Sequence, residues 1–344
     1  MKRWIAIGIG VISGIAIGIG LKTDWQSSSP LPANVTPPPV PPPIPTLAPA
    51  AISSLRASTR CLVALRTPPS PNQEQANNQT HGSDSIPFAC QGSLKLFILA
   101  GQSNMSGRGE LPKSSSEYSL PMNHPQVFVF GNDYRWSLAS EPVDTPQGQV
   151  DLVSKDDEAA YSPAVSFATS LLAKDSKQVI GLIPCARGAT TITDWQRNLS
   201  ETSLYGSCLK RVRAASLMGS MAGLLFFQGE SDALSPQANP ELILVPDRWH
   251  QYFSTFVQDF RTDLGQPQLP VVFAQLGKQP DPARFSNWNQ VKQQQKLVKL
   301  PYTTMITTDD LPADAKDPVH FISDSYRRIG ERFADSYWQL TQPK

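Results

Sequence analysis

Residues 94–109 read LKLFILAGQSNMSGRG. The first seven residues are apolar except for one lysine, and a glycine-containing polar segment follows at once. An apolar run of this length, bounded by glycine and polar residues, is typical of a buried strand that ends in a loop. We therefore predict a buried strand over residues 94–100 with a polar loop directly after it.

The same alternation continues to the C-terminus. We predict further buried strands over residues 179–184, 222–227, 269–276 and 302–307, and helices over residues 162–173, 204–218, 247–263, 287–298 and 323–340. Strands that alternate with helices predict an α/β fold in which helices cover both faces of a parallel sheet.

The composition limits the class of protein. The 344 residues are 40% hydrophobic, which is enough for a large core, and the formal net charge is only +1. A near-neutral chain offers no basic field, so we expect no nucleic-acid partner. The sequence contains no HExxH motif or histidine cluster, and we expect no metal or other cofactor. The oligomeric state stays open.

The N-terminus carries a membrane signal. Lys2 and Arg3 precede 18 apolar residues, 4–21, which are just enough to span a bilayer. No clear cleavage site follows, which favours an uncleaved anchor over a removed signal peptide. We expect residues 1–22 to hold the rest of the chain on the extracytoplasmic side of a membrane, or the protein to be secreted if this segment is cleaved.

Proline is concentrated after that segment. Half of residues 30–49 are proline, and residues 67–85 are polar. A proline run of this kind favours an extended spacer, and a ligand for a proline-recognising module is the alternative. We predict residues 23–87 to be a mostly disordered linker and residues 88–344 to form one compact domain.

The four cysteines are Cys61, Cys90, Cys185 and Cys208. An exported protein meets an oxidising compartment, where an even number of cysteines suggests disulfides. Pairing Cys61 with Cys90 and Cys185 with Cys208 would keep each bond local. Buried unpaired thiols are an equally good interpretation of the sequence.

Four polar or glycine-rich segments follow predicted strands. They are AGQSNMSGRG at 100–109, CARGATTITDW at 185–195, QGESDA at 228–233 and DLPADAKDPVHF at 310–321. Ligands of open parallel sheets bind at the carboxyl ends of the strands. We therefore expect these four segments to converge on one edge and to form a site.

A nucleophile and its base can be chosen within these segments. Ser103 follows the first strand across a single turn, where a serine hydroxyl is exposed. His320 lies after the last strand, and Asp317 three residues earlier is placed to orient its imidazole. The remaining histidines fall in the linker, in a loop away from strand ends and in a surface helix: His81, His124 and His250.

An acyl-transfer site also needs donors for an oxyanion. The backbone N–H groups of Ser103 and Gly188 and the side-chain amide of Gln228 are the candidates that the segments offer. Taken singly, a glycine or glutamine is more often part of a turn or a cap. Their joint position after strands favours the functional interpretation.

The segments GQSNM, CARGAT, QGESD and DxxH together resemble an SGNH-type esterase. More narrowly, they resemble carbohydrate esterase family 6 and the sialate O-acetylesterases, over roughly residues 94–337. The resemblance implies a three-layer α/β/α fold with a flavodoxin-like sheet and metal-independent deacetylation of sugars. It also implies that Ser103 is the nucleophile, His320 the base and Asp317 its orienting acid, with Ser103, Gly188 and Gln228 as the oxyanion hole.

The sequence departs from the family pattern in the second segment. That branch usually has Gly-Gly-Thr where this chain has Gly188-Ala189-Thr190. Backbone donors survive the change, but we expect the extra methyl of Ala189 to narrow the acetyl pocket.

Five further residues are candidates for substrate contact or support: Gln102, Asn104, Arg187, Trp195 and Glu230. For Arg187 we favour a surface salt bridge over substrate contact. For Trp195, a sugar-stacking platform and a core position are equally open. For Glu230 we favour a structural role over direct proton transfer.

The leading hypothesis is a serine esterase that removes O-acetyl groups from an acetylated sugar or polysaccharide. The absence of a long apolar run to line a fatty-acid channel favours a small acyl group. Two alternatives stay open: another ester substrate (peptidoglycan O-acetyl, lipid or thioester), and an inactive membrane-tethered protein that binds carbohydrate.

Overall fold

The computed structural model describes residues 59–66, 86–112 and 120–343. The predicted membrane segment, residues 1–22, and most of the predicted linker lie outside these ranges. Within them, no helix combines the length and the hydropathy that crossing a bilayer requires.

Seven strands form one sheet. In chain order they are β1 (Leu94–Gly101), β2 (Asn123–Phe130), β3 (Trp136–Ser140), β4 (Ile180–Pro184), β5 (Gly219–Phe227), β6 (Val271–Ala274) and β7 (Thr303–Ile306). Their order in the sheet is β3-β2-β4-β1-β5-β6-β7, and only the β2–β3 pair is antiparallel. The predicted strand over residues 94–100 is β1, at the centre of the sheet.

Seven α-helices accompany the sheet in the described residues. They are α1 (59–66), α2 (Ser103–Ser106), α3 (Ala164–Lys174), α4 (Leu204–Ala215), α5 (Trp249–Asp263), α6 (Trp288–Leu297) and α7 (Ser323–Thr341). Five of them, α3 to α7, match the predicted helices to within about three residues at each end.

The side chains of β1 alternate between two hydrophobic cores, as the two-residue period of a strand requires. Leu96 and Ile98 join one core with residues of α4, α5 and α6. Phe97 and Leu99 join the other with residues of α3 and α7. The predicted three-layer α/β/α arrangement is confirmed, because each face of the central strand is covered by its own layer of helices.

The antiparallel edge pair was not among the predicted strands. The first half of β2 reads Asn-His-Pro-Gln and is partly exposed, so only four of its eight residues are buried. β3 is a short edge strand with three exposed residues. The apolar part of β2 is limited to residues 127–130, and β3 has no apolar run longer than two residues. His124, assigned to a loop from sequence, lies in β2.

Both cysteine pairs that keep the bonds local are disulfides. Cys185 and Cys208 connect the end of β4 to α4, and Cys61 and Cys90 connect α1 to the turn before β1. Residues 59–66 fall in the predicted linker, but they form helix α1, and the Cys61–Cys90 disulfide attaches them covalently to the domain. The alternative of unpaired buried thiols is wrong.

Candidate active site

The turn after β1 depends on a glycine. Gly101 has φ +129°, and a Cβ at this position would lie 2.1 Å from the carbonyl oxygen of Phe227 at the end of β5. A side chain is therefore excluded both by backbone conformation and by the close approach of the neighbouring strand. This turn places Ser103 at the first position of α2, 5% exposed.

Three of the predicted residues form a continuous hydrogen-bonded chain. The Oγ of Ser103 lies 2.7 Å from Nε2 of His320, and Nδ1 of His320 lies 2.6 Å from Oδ2 of Asp317. The backbone N–H of His320 also donates to the carbonyl of Asp317 at 2.9 Å, which holds these two residues in one turn. Two residues that are 217 positions apart in the chain thus meet at one edge of the sheet.

The protonation of His320 follows from its surroundings. Burial lowers the pKa of His320, and the hydrogen bond and charge of Asp317 offset that effect only in part. The imidazole is therefore neutral at neutral pH. With Nδ1–H donated to Asp317, Nε2 is free to accept the hydroxyl proton of Ser103.

The backbone N–H of Gly188 has an anionic partner. It donates to Oδ2 of Asp156 at 2.8 Å, and the same oxygen accepts from the hydroxyl of Ser106 at 2.7 Å. Arg108 binds this carboxylate at 2.8 Å and 3.0 Å. Burial opposes ionisation of Asp156, but Arg108 and the hydrogen bonds outweigh it and lower the pKa. The candidate oxyanion donor is thus held by a carboxylate.

Gln228 does not reach the site. Its side chain is fully buried, and Nε2 donates to the carbonyl of Thr190 at 2.9 Å and to Oδ2 of Asp232 at 2.6 Å. Its Oε1 accepts from the indole N–H of Trp249 at 2.9 Å. Both amide hydrogens are used within the protein, so the predicted role of Gln228 as an oxyanion donor is wrong for this geometry.

Asn104 and Glu230 connect the nucleophile to the histidine loop. The amide of Asn104 donates to Oε1 of Glu230 and, at 3.1 Å, to the carbonyl of Val319, the residue before His320. The hydroxyl of Tyr326 donates to the Asn104 oxygen at 2.7 Å. Burial raises the pKa of Glu230 to about 7. These contacts agree with the structural role favoured for Glu230.

The other predicted support residues fall in different places. Gln102 is 3% exposed, and its amide lies against the loop that follows β5. Trp195 is fully buried and packs edge-to-face on Phe226 and Phe256, so its position is in the core and the stacking platform is wrong. Arg187 makes no ion pair with any described residue; it donates to the carbonyl of Val153 at 3.0 Å, and the favoured salt bridge is wrong.

A cavity of about 490 Å³ opens above Ser103 and His320. All four predicted segments contribute to its wall, through Ser103, Gly188, Glu230 and His320. Most of the residues that line it are polar or charged, and the apolar ones include Leu234 and Phe285. Its size is that of a site for a small-molecule ligand such as a sugar.

Sequence reasoning missed three residues of this site. Arg108 lies in the first segment, and its position five residues after Ser103 was available as a signal. Tyr326 lies within the predicted helix over residues 323–340, and nothing in the sequence set it apart as a residue of the site. Asp156 lies in a stretch with no strand or helix period, and no sequence signal singled it out.

A family model described as "Carbohydrate esterase, sialic acid-specific acetylesterase" matches residues 93–339. The chain belongs to this family. The family match covers all four site segments. It therefore confirms the resemblance that the four motifs suggested.

Proteins similar to this chain include solved structures with the same fold. The probable carbohydrate esterase At4g34215 of Arabidopsis thaliana is 28% identical over 258 residues, 71% of this chain and 90% of the relative. The solved structure of that Arabidopsis protein covers 71% of this chain and 98% of its own, at 26% identity and a TM-score of 0.58. The structure of NanS covers 72% and 97%, at 19% identity and a TM-score of 0.52. The carbohydrate acetylesterase XAC1771 from Xanthomonas citri covers 72% and 56%, at 18% identity and a TM-score of 0.53.

Proposed function

We propose that this protein is a serine esterase that removes O-acetyl groups from a carbohydrate through an acetyl-serine intermediate. The observation that carries the proposal is the Ser103–His320–Asp317 chain, with distances of 2.7 Å and 2.6 Å, in a member of a carbohydrate esterase family. A serine within hydrogen-bond distance of a neutral imidazole is the arrangement that nucleophilic acyl transfer requires.

The acylation step uses the three residues in sequence. Nε2 of His320 accepts the proton of Ser103 while Oγ attacks the acetyl carbonyl carbon, and Asp317 stabilises the imidazolium that forms. The imidazolium then donates this proton to the sugar oxygen as the ester C–O bond breaks. The deacetylated sugar leaves, and the acetyl group stays on Ser103.

The deacylation step reverses these roles with water. His320 accepts a proton from a water molecule, whose oxygen attacks the acetyl-serine carbonyl. Collapse of the tetrahedral intermediate releases acetic acid, which ionises to acetate in solution, and His320 returns the proton to the Oγ of Ser103. The enzyme is regenerated without any added reductant or oxidant.

The oxyanion needs hydrogen-bond donors in both steps. Among the described residues the backbone N–H of Ser103 has no protein acceptor, which leaves it available. The N–H of Gly188 becomes a second donor when it leaves Asp156. Each donor of this kind is worth about a hundred- to a thousandfold in rate.

The site favours a short acyl group. Polar and charged residues are the majority of those that line the cavity, and apolar residues such as Leu234 and Phe285 are the minority. A long-chain acyl ester would leave much of its hydrocarbon against charged groups, at about 25 cal/mol for each Å² of apolar surface left in water. Comparing hydrolysis of acetyl, butyryl and octanoyl esters tests this point, and preference for octanoyl would contradict it.

We further propose that the esterase domain acts outside the cytoplasm. Two disulfides support this location, because such bonds persist mainly in oxidising compartments. The apolar segment before the linker is the proposed anchor or signal. Labelling intact cells with a membrane-impermeant reagent, followed by detection of the domain, tests the location, and protection from the reagent would contradict it.

The central test is acetate release by wild type and Ser103→Ala over a panel of acetylated glycans and 4-nitrophenyl acetate. We expect Ser103→Ala to lose at least about a thousandfold in kcat. Ser170→Ala, in α3 and outside the site, is the matched control and should keep full activity. Equal activity of Ser103→Ala and wild type would overturn the mechanism. Glycan binding by a wild type that releases no acetate would instead favour an inactive binding protein.

A further inference from the structure

A second cavity of about 640 Å³ adjoins the catalytic pocket. It lies over the segment from Thr193 to Ser203, between the end of β4 and the start of α4. We call it the distal groove and define it by Asp194, Gln196, Asn198 and Thr202.

The distal groove and the catalytic pocket share a wall. Arg187, Gly188, Ala189 and Leu242 line both cavities. Gly188 also stands beside the nucleophile, since a Cβ at this position would lie 3.6 Å from the Cβ of Ser103. A molecule bound with its ester at Ser103 therefore meets the border of the distal groove directly.

Polar atoms of the distal groove are available to a ligand. In the part of the chain that the structure describes, Oδ1 of Asp194, Oε1 of Gln196 and Nδ2 of Asn198 have no hydrogen-bond partner, although each side chain is held by its other polar atom. Two acceptors and one donor, on side chains already fixed in place, match the hydroxyl groups of sugars.

The charges of the distal groove cancel. Arg197 is bound by both oxygens of Asp263, at 2.9 Å and 3.0 Å. The remaining charged residues of the groove are Arg187 and Asp194, which carry opposite signs. A surface of this kind gives no electrostatic preference for a polyanion, so it fits an uncharged glycan chain.

We propose that the distal groove binds the sugar residues that neighbour the acetylated one, so that the substrate is an uncharged oligosaccharide or polysaccharide and not a free monosaccharide. The inference rests on the proposed esterase function. Leu242, half-buried at the shared wall, offers an apolar surface to the C–H face of the sugar that crosses from one cavity to the other.

The test compares kcat/KM of the full-length protein for an acetylated neutral tetrasaccharide, the matching acetylated monosaccharide and 4-nitrophenyl acetate. We expect wild type to prefer the tetrasaccharide at least tenfold. Thr202→Trp, which fills the distal groove, should reduce that preference to about one. Asn198→Ala should reduce it about three- to tenfold, the effect of one hydrogen bond. Neither variant should change 4-nitrophenyl acetate hydrolysis.

Leu217→Trp is the matched control. Leu217 is exposed and lies just before the start of β5, whereas the catalytic pocket lies at the carboxyl ends of the strands. Equal kcat/KM of wild type for tetrasaccharide and monosaccharide would overturn the proposal, as would an equal loss on all three substrates in Thr202→Trp. Binding of the deacetylated tetrasaccharide to Ser103→Ala gives a readout without catalysis. Loss of this binding in Ser103→Ala/Thr202→Trp would support the groove even if the esterase function failed, and unchanged binding would overturn it.

Discussion

The backbone N–H of Gly188 donates to the carboxylate of Asp156 at 2.8 Å, beside Ser103, the proposed nucleophile. A carboxylate that occupies an oxyanion donor competes with the oxyanion and repels its charge. Arg108 neutralises Asp156 and keeps it in place. The donor set is therefore complete only after the Gly188 N–H is released.

The first prediction concerns this carboxylate. Asp156→Asn keeps the size of the side chain and removes the negative charge, so we expect kcat for 4-nitrophenyl acetate to rise, at most by the roughly hundred- to thousandfold that one donor is worth. Asp157→Asn, at a neighbouring exposed position paired with Lys155, is the control. A tenfold or larger fall in Asp156→Asn would show instead that the carboxylate holds Gly188 in its productive position.

The second prediction concerns pH. Because burial lowers the pKa of His320, activity should fall on the acid side with a midpoint below 6.5, where the imidazole becomes protonated and no longer accepts a proton. Asp317 raises this pKa, so Asp317→Asn should move the midpoint of kcat/KM to still lower pH. Since Asp317 is 58% exposed, we expect kcat to fall by about 10- to 1000-fold, less than the roughly 10⁴ of a buried triad acid. An unchanged pH profile in Asp317→Asn would contradict the assignment.

The third prediction concerns Glu230 and stability. Its pKa is raised by burial to about 7, so the folded state holds a proton that the unfolded chain has already released. The associated stability is present at pH 4 and is lost as the pH rises through about 7. Glu230→Gln cannot ionise, so its Tm should fall less than that of wild type between pH 5 and pH 8.

Comparing Glu230→Gln with wild type isolates the contribution of Glu230 to the pH dependence of Tm. Burial also raises the pKa of Glu141 to about 8 and those of Asp144 and Asp232 to about 7, and these carboxyls act in the same direction in both proteins. Parallel Tm–pH curves for wild type and Glu230→Gln would refute the prediction.

The fourth prediction concerns Ala189. It has φ +59°, a conformation that costs an L-residue about 1–2 kcal/mol, whereas glycine adopts it freely. The gain in Ala189→Gly is reduced by the larger entropy of the unfolded chain. We expect a net increase of about 0.5–1 kcal/mol in the free energy of unfolding, measured with urea. Ala283→Gly, in an exposed turn, is the control and should show no gain.

The structure gives little support to the expectation that the methyl group of Ala189 narrows the acetyl pocket. The residue is exposed at the border of two cavities, so its methyl group is not packed deep beside Ser103. Ala189→Gly should therefore leave the KM for small acetyl esters nearly unchanged. A KM for 4-nitrophenyl acetate that falls more than tenfold would restore the narrow-pocket interpretation.

The sequence by itself determined the strand–helix alternation, the parallel sheet and the meeting of Ser103 with His320. These follow from local patterns, because apolar runs define buried strands and parallel strands bring their carboxyl ends to one edge. The edge strand β3 and its neighbour β2 escaped prediction, because each is only partly buried and has a short apolar run.

Only the tertiary structure decided the partners of the other polar groups around the site. Gln228 was a plausible oxyanion donor until its amide was seen bound to Thr190 and Asp232, and Trp195 a plausible platform until it was seen packed on Phe226. Asp156, which accepts the hydrogen bond of the Gly188 N–H, lies 32 residues earlier in a loop whose sequence has no regular pattern. Hydrogen-bond partners of buried groups depend on how distant segments pack, and a residue's type and spacing carry no record of that packing.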